Sequence, residues 1–278
     1  MTTSQSVVLS GDERTTTALC ERPLALEKDV LRRRIYAPLA YAPVRNAAVV
    51  PAVHSECLSL ASWFPLVWRR QGSALEFVAI RALLNDQRAQ PPAARTLLPM
   101  ILHGYPFVFD PDLPTGLQSR KMLDDVFADA PTDVGATITT VNHRLSRATM
   151  SRFQTLDRFA HDMTVTAAVT EALGALNAFE PWALKFNIDG HTVEIPDLLV
   201  IRPALFDGGT LAPLLQQLGI PCAQMLSLHR ISLFRAGILL VMAKAFLKAT
   251  RDQAPVPGRT ADMEPPPAPN VHLQPASA

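Results

Sequence analysis

Leu66-Val67-Trp68-Arg69-Arg70-Gln71-Gly72-Ser73-Ala74-Leu75-Glu76-Phe77-Val78-Ala79-Ile80 is the stretch that places the chain in its fold class. Two apolar runs, Leu66-Val67-Trp68 and Leu75 to Leu84, flank the polar turn Gln71-Gly72-Ser73 and predict a β-hairpin. Branched and aromatic side chains suit a pleated backbone, and a glycine turn reverses it. Downstream the period changes. Phe153, Leu156, Ala160, Met163 and Ala167 recur at steps of three and four, so Ala148 to Phe179 reads as one long amphipathic helix. Trp182 to Asn187 and His191 to Ile195 then flank Ile188-Asp189-Gly190, whose Asp-Gly pair favours a tight hairpin turn. Leu198 to Ile201 is a further apolar run. Leu211 to Leu218 reads as a short helix closed by Gly219, and Pro221 suits the first turn of a last, long, buried helix ending near Thr250. The expected class is α+β: short strands and hairpins packed with helices.

Working upstream, Val30 to Val50 reads as irregular or edge strands around Pro38 and Pro43, and Ala52 to Trp63 as a helix stopped by Pro65. Beyond the hairpin, Ala94 to Leu102 reads as a short helix ending at Gly104, and Tyr105 to Phe109 as a strand. Asp110 to Arg144 is more polar and carries no readable period. In a chain of 278 residues with 48% hydrophobic and 18% charged residues, a single sizeable core can form, which excludes a disordered protein. Gln253 to Ala278 holds seven of the 24 prolines and few large apolar side chains, too little to offset its ordering entropy. The expected organisation is a loose amino end over 1–28, one α+β domain over 29–251, and a disordered Pro-rich tail over 252–278.

Composition narrows the function classes. The 26 Lys+Arg against 25 Asp+Glu leave a net charge of +1 with no basic run, which argues against nucleic acid as a partner. Cys20, Cys57 and Cys222 are far apart in no paired spacing, so reduced thiols are expected. The polar amino end has no apolar run longer than Val7-Val8-Leu9, and the last helix is interrupted by Arg235 and Lys244. Neither a signal peptide nor a transmembrane helix is expected, and a cytoplasmic location follows as the expectation.

His54-Ser55-Glu56 is the one motif that invites a metal, because H-x-E opens the zinc deaminase signature and Pro221-Cys222 resembles its partner motif. Met225 stands where the second thiolate would be needed, and on a helix His54 and Glu56 point to opposite sides. No metal and no cofactor are therefore expected. No nucleophile elbow, S-x-x-K motif or Gly-rich phosphate loop occurs either, so no catalytic residue is assigned.

Two charges stand out by placement. At about 100° per residue, Arg235 falls among Ile231, Ile238, Leu239 and Met242 on the last helix, and Glu56 falls among Val53, Leu60 and Trp63. Each faces the core and needs a partner. The expectation is a buried Glu56–Arg235 ion pair tying the two halves together, or a pocket lined by Glu56, His103, Tyr105 and Arg235. On the opposite side of the last helix, His229, Arg230, Lys244, Lys248 and Arg251 form a basic stripe. A solvated edge is preferred there over peripheral membrane contact through Arg230, Lys244 and Lys248.

Two segments resemble the bacterial SapC-like family, some of whose members are associated with the surface layer. One is His54-Ser55-Glu56-Cys57 running into Trp63-Phe64-Pro65-Leu66-Val67-Trp68, and the other is Leu97-Leu98-Pro99-Met100-Ile101-Leu102-His103-Gly104-Tyr105-Pro106-Phe107. With the closing Leu228-His229-Arg230-Ile231-Ser232-Leu233 helix, the likeness covers about residues 30–248. The resemblance implies an envelope or surface-layer role and carries no reaction over to these residues. The functional expectation is a non-enzymatic binding or accessory protein for a protein or small molecule. The alternative is an enzyme of unrecognised type, such as a hydrolase, with a cleft around Glu56 and Arg235.

Overall fold

A computed structural model describes Val7–Val8 and residues 19–253, other than 114–118, 189 and 208. In chain order the elements begin with β1 (Val7–Val8), β2 (Pro23–Leu24), β3 (Arg34–Ile35), α1 (Ala42–Asn46), β4 (Val49–Pro51) and α2 (Cys57–Leu60). The central hairpin β5 (Leu66–Gln71) and β6 (Ala74–Ile80) follows, then α3 (Met100–His103), β7 (Phe107–Phe109), β8 (Lys121–Asp124) and β9 (Ala136–Thr137). The long helix α4 (Arg147–Ala175) leads into β10 (Phe179–Pro181), β11 (Leu184–Ile188), β12 (His191–Ile195) and β13 (Leu198–Ile201). Helices α5 (Ala212–Ser232) and α6 (Ala236–Gln253) close the described chain. The class is α+β, as the alternation of hairpins and helices predicts.

The β5–β6 hairpin is the centre of a five-stranded sheet in the order β10-β13-β5-β6-β4, with every pairing antiparallel. Gly72 sits at its turn with φ of 57°, a conformation that costs glycine little. Both faces of this sheet are covered, so its strands read as nearly continuous apolar runs. Alternate residues divide cleanly between two cores. Leu66, Trp68, Phe77, Ala79, Leu199 and Ile201 pack under α4 and α5, with Val169, Leu173, Cys222 and Met225. Val67, Val78, Ile80, Leu198 and Val200 face the β11–β12 hairpin and α6, with Leu184, Val193, Leu239 and Ala243. A smaller sheet, β2-β8-β7, lies against the first half of α4, where Leu156, Phe159 and Ala160 meet Phe107, Phe109 and Leu123. One helix thus belongs to two cores and joins the halves of the domain.

Several expectations need adjustment. The helix expected over 94–102 is split, with a 3-10 turn at Pro92–Arg95 and α3 beginning after Pro99. Pro99 lacks an N–H and disfavours helical backbone in the residue before it. The unassigned stretch 110–144 supplies β8 and β9. The loose amino end does not extend to residue 28: Leu19 is buried beside Tyr41 and Tyr105, Pro23–Leu24 pairs with β8, and Val7–Val8 runs parallel beside β12. The remainder of 1–18 and the expected tail beyond Gln253 lie outside the described residues, while Asp252 and Gln253 continue α6. The last helical segment bends as the glycine suggests. Gly219 has φ of 60° and ψ of −144°, a break inside α5, and a second interruption, a 3-10 turn at Leu233–Arg235, separates α5 from α6.

Candidate functional site

Glu56 sits at the end of a 3-10 turn, His54–Glu56, that leads into α2. Its carboxylate reaches back to accept the Val53 N–H at 3.0 Å, the glutamate half of a capping box, and its other oxygen accepts the Met100 N–H at 2.6 Å at the start of α3. One side chain therefore ties two chain segments together. Burial, with the neighbouring Asp162 carboxylate adding to it, pushes the Glu56 carboxyl up to about 7 against the opposing effect of the two amide bonds.

Asp162 belongs to a buried polar stripe on α4. Asp162, Thr166 and Thr170 follow at four-residue steps and all are buried. Ser55 Oγ donates to Asp162 Oδ2, the His54 N–H donates to Thr166 Oγ1 at 2.9 Å, and His54 Nδ1 lies 3.2 Å from the Asp162 carbonyl. Trp68 Nε1 donates to Thr170 Oγ1 at 3.0 Å at the far end of the stripe. His54 and Ser55 thus both hydrogen-bond α4, while Glu56, the last residue of the same turn, is directed to Val53 and Met100. Among the described residues no three His, Cys, Asp or Glu side chains form a group able to hold a metal ion.

The expected Glu56–Arg235 ion pair is not formed. Glu56 is fully engaged by amide donors, and Arg235 sits half-buried in the 3-10 turn between α5 and α6, where the break in helical phase takes it off the core face. The four residues proposed for one pocket are not brought together. His103 is exposed at the end of α3. Tyr105 is buried, and its hydroxyl donates to Asp124 Oδ2 at 2.7 Å. Asp124 also accepts the Arg22 N–H at 2.7 Å and the Glu21 N–H at 3.1 Å, so it pins the amino segment to β8. Burial followed by the Asp124 charge pushes the Cys20 thiol up to about 12.

The most enclosed arginine among the described residues is Arg81, with Arg69 also buried. Arg81 is completely enclosed, with Nη1 donating to the carbonyls of Val44 and Ala47 at 2.9 Å and Nη2 donating to Ala94 O at 3.0 Å and Gln90 Oε1 at 3.3 Å. Burial lowers its pKa to about 10, which leaves it protonated at neutral pH. Its position inside the apolar run Leu75 to Leu84 is the signal in the sequence that could have found it.

His229, placed by spacing on a solvated basic stripe, is likewise wholly buried. Its ring stands edge-on to Trp68, with centroids 5.0 Å apart. His229 lies on the side of α5 that packs on the sheet, with Cys222, Met225 and Leu226 at helical steps before it. Burial depresses its pKa to about 4, against the opposing hydrogen bond to Leu66.

Compared with known families, the chain matches the SapC family over residues 32–231. The chain belongs to the SapC family. The match runs from the 3-10 turn before β3 almost to the end of α5, so the polar stripe, Arg81, Asp124 and His229 all lie within the SapC region, while α6 lies beyond it. No curated protein and no solved structure matches this SapC chain.

Proposed function

We propose that this SapC-family protein is a non-enzymatic binding or accessory protein linked to the cell envelope or surface layer, acting through the outer face of α5 and α6. The observation that carries this reading is a row of large apolar side chains left in solvent on that face: Ile220 at 72% exposure, Ile231 at 57%, Phe234 at 86% and Val241 at 64%. A single exposed apolar residue is ordinary, but several large ones on two consecutive helices are characteristic of a binding surface. The polar side chains singled out elsewhere support the same reading, because they are spent on holding backbone. Glu56 serves Val53 and Met100, Asp124 serves Glu21 and Arg22, and Arg81 serves four acceptors. No helix among the described residues is long and apolar enough to cross a membrane, and the proposed attachment is peripheral, from the cytoplasmic side.

The test is association of the full chain with the envelope fraction of lysed cells. The wild type is expected to pellet with it and an Ile231→Ser plus Phe234→Ser variant to remain in the supernatant. Wild-type protein that stays in the supernatant overturns the reading.

A further inference from the structure

The exposed row has a charge pattern as well as an apolar one. Ile220, Ile231, Phe234 and Val241 are all exposed, and through the 3-10 turn into α6 the exposed positions recur every three or four residues, at 231, 234, 237, 241, 244 and 248, which marks the outer side of that segment. Arg230, Lys244 and Lys248 are exposed beside them. No Asp or Glu occurs between Gly208 and Arg251. None of these three cations has a carboxylate partner among the described residues. The small residues Gly237 and Ala245 are also exposed along the strip, which leaves Phe234 and Val241 prominent.

Resting on the binding reading, we propose that this face docks on an anionic lipid bilayer, with Ile231, Phe234 and Val241 entering the boundary between headgroups and acyl chains and Arg230, Lys244 and Lys248 lying on lipid phosphates. Aliphatic and aromatic side chains flanked by Lys and Arg, with no acid among them, match an apolar interior under a negative surface. Self-association fits less well. An antiparallel two-fold pairing centred on Gly237 would set Arg230 against Lys244 in both directions, like charge on like. The exposed apolar surface and the cations interleave on one strip, so burying the first in a second copy forces the second together. The strip also reaches past the region shared with the SapC family, because α6 begins after residue 231.

Cosedimentation of the full chain with protein-free vesicles tests this, using phosphatidylcholine alone and phosphatidylcholine mixed with phosphatidylglycerol. Binding is expected only to the mixed vesicles, weakening as salt rises. Lys244→Glu plus Lys248→Glu is expected to weaken it about tenfold or more, at about 1 kcal/mol per basic residue near the surface, and Phe234→Ser to weaken it without changing its salt dependence. These positions are exposed, and an unchanged melting temperature confirms that each variant is folded. Wild-type protein that fails to pellet with mixed vesicles, or charge-reversed protein that pellets as well as wild type, overturns the lipid assignment. If the wild type still pellets with cell envelopes in that case, the face serves a protein partner and only the lipid is wrong. If it pellets with neither, the binding reading falls too.

Discussion

The imidazole of His229 stands between two strands: its Nδ1 lies 2.6 Å from the carbonyl oxygen of Leu66, while its Nε2 accepts the Ile201 N–H at 3.2 Å. The antiparallel register of β5 and β13, Leu198 opposite Arg69 and Leu199 opposite Trp68, would bring Ile201 opposite Leu66 two residues further on. Pairing stops short of that point, and the ring takes the place of a ladder bond. Only the neutral ring with its proton on Nδ1 can donate to Leu66 and accept from Ile201 at once. Ser232, one turn on, accepts the Leu66 N–H at 2.9 Å, so α5 satisfies both backbone groups of that residue. His229→Ala therefore leaves a buried carbonyl and a buried N–H without partners and is expected to cost about 2–5 kcal/mol, read as a shifted urea midpoint.

Glu56 and His229 give the protein two opposed proton linkages. The Glu56 carboxyl is raised from 4.5 to about 7, so the folded state holds a proton that the unfolded state has lost, and stability from this group falls as pH rises through that window. His229 is lowered from 6.5 to about 4, so the unfolded state holds the extra proton, and stability from this group falls as pH drops through that window. Between about pH 4.5 and 6.5 the two nearly cancel. Measured against wild type, Glu56→Gln is expected to gain about 1.4 kcal/mol of relative stability per pH unit on going up, and His229→Ala to lose about as much. Differences from wild type that stay flat with pH would contradict both assignments.

Arg81 and Arg235 should separate sharply. Arg81→Lys replaces a planar fork by a point donor that cannot serve Val44, Ala47, Gln90 and Ala94 together, and a loss of about 3 kcal/mol or more is expected. Arg235→Met, at a half-buried position with no ion pair among the described residues, is expected to change stability by less than about 0.5 kcal/mol. Thermal melts of the two variants decide the matter, and a large cost at Arg235 would restore the ion-pair expectation.

Gly104 is where α3 meets α4. A Cβ built there would lie 2.5 Å from Leu156 Cδ2 and 2.6 Å from its Cγ, and Leu156 is fully buried. Gly104→Ala is expected to cost about 1–3 kcal/mol through overpacking. Adding Leu156→Ala should cost less in that background than in wild type, since the new methyl occupies part of the space removed. A double-mutant cycle with no coupling would show that the two sites do not meet.

Asp124 accepts from Tyr105 and from two backbone amides at once. In Asp124→Asn one oxygen becomes a donor and faces N–H or O–H groups, so about 2–3 kcal/mol of stability is expected to go. The loss should be local first. Hydrogen exchange at Glu21 and Arg22 should quicken more than at β5, and uniform quickening would place the role of Asp124 elsewhere.

The elements legible in the sequence are those whose partners lie close along the chain. The β5–β6 and β11–β12 hairpins and helix α4 announce themselves through turn residues and local period, and the glycine break in α5 through the backbone freedom of Gly219. The α+β class follows from their order. What stayed hidden depends on distant contacts. The buried face of α4 is partly polar, with Asp162, Thr166 and Thr170 inside and Ala167 exposed, because 3-10 backbone at His54–Glu56 supplies hydrogen bonds that make those groups affordable to bury. Hydrophobic period cannot register a face of that kind. The choice of Arg81 over Arg235 as the enclosed cation was settled by carbonyls from α1 and from the 3-10 turn at 92–95, and the burial of His229 by an unpaired strand end that a sequence does not display. Helical angles taken on one unbroken rod placed Arg235 inside and His229 outside. The interruption at Leu233–Arg235, inside the helix expected from Pro221 to Thr250, changed the phase, and only the packed fold could decide which side of the rod the sheet would cover.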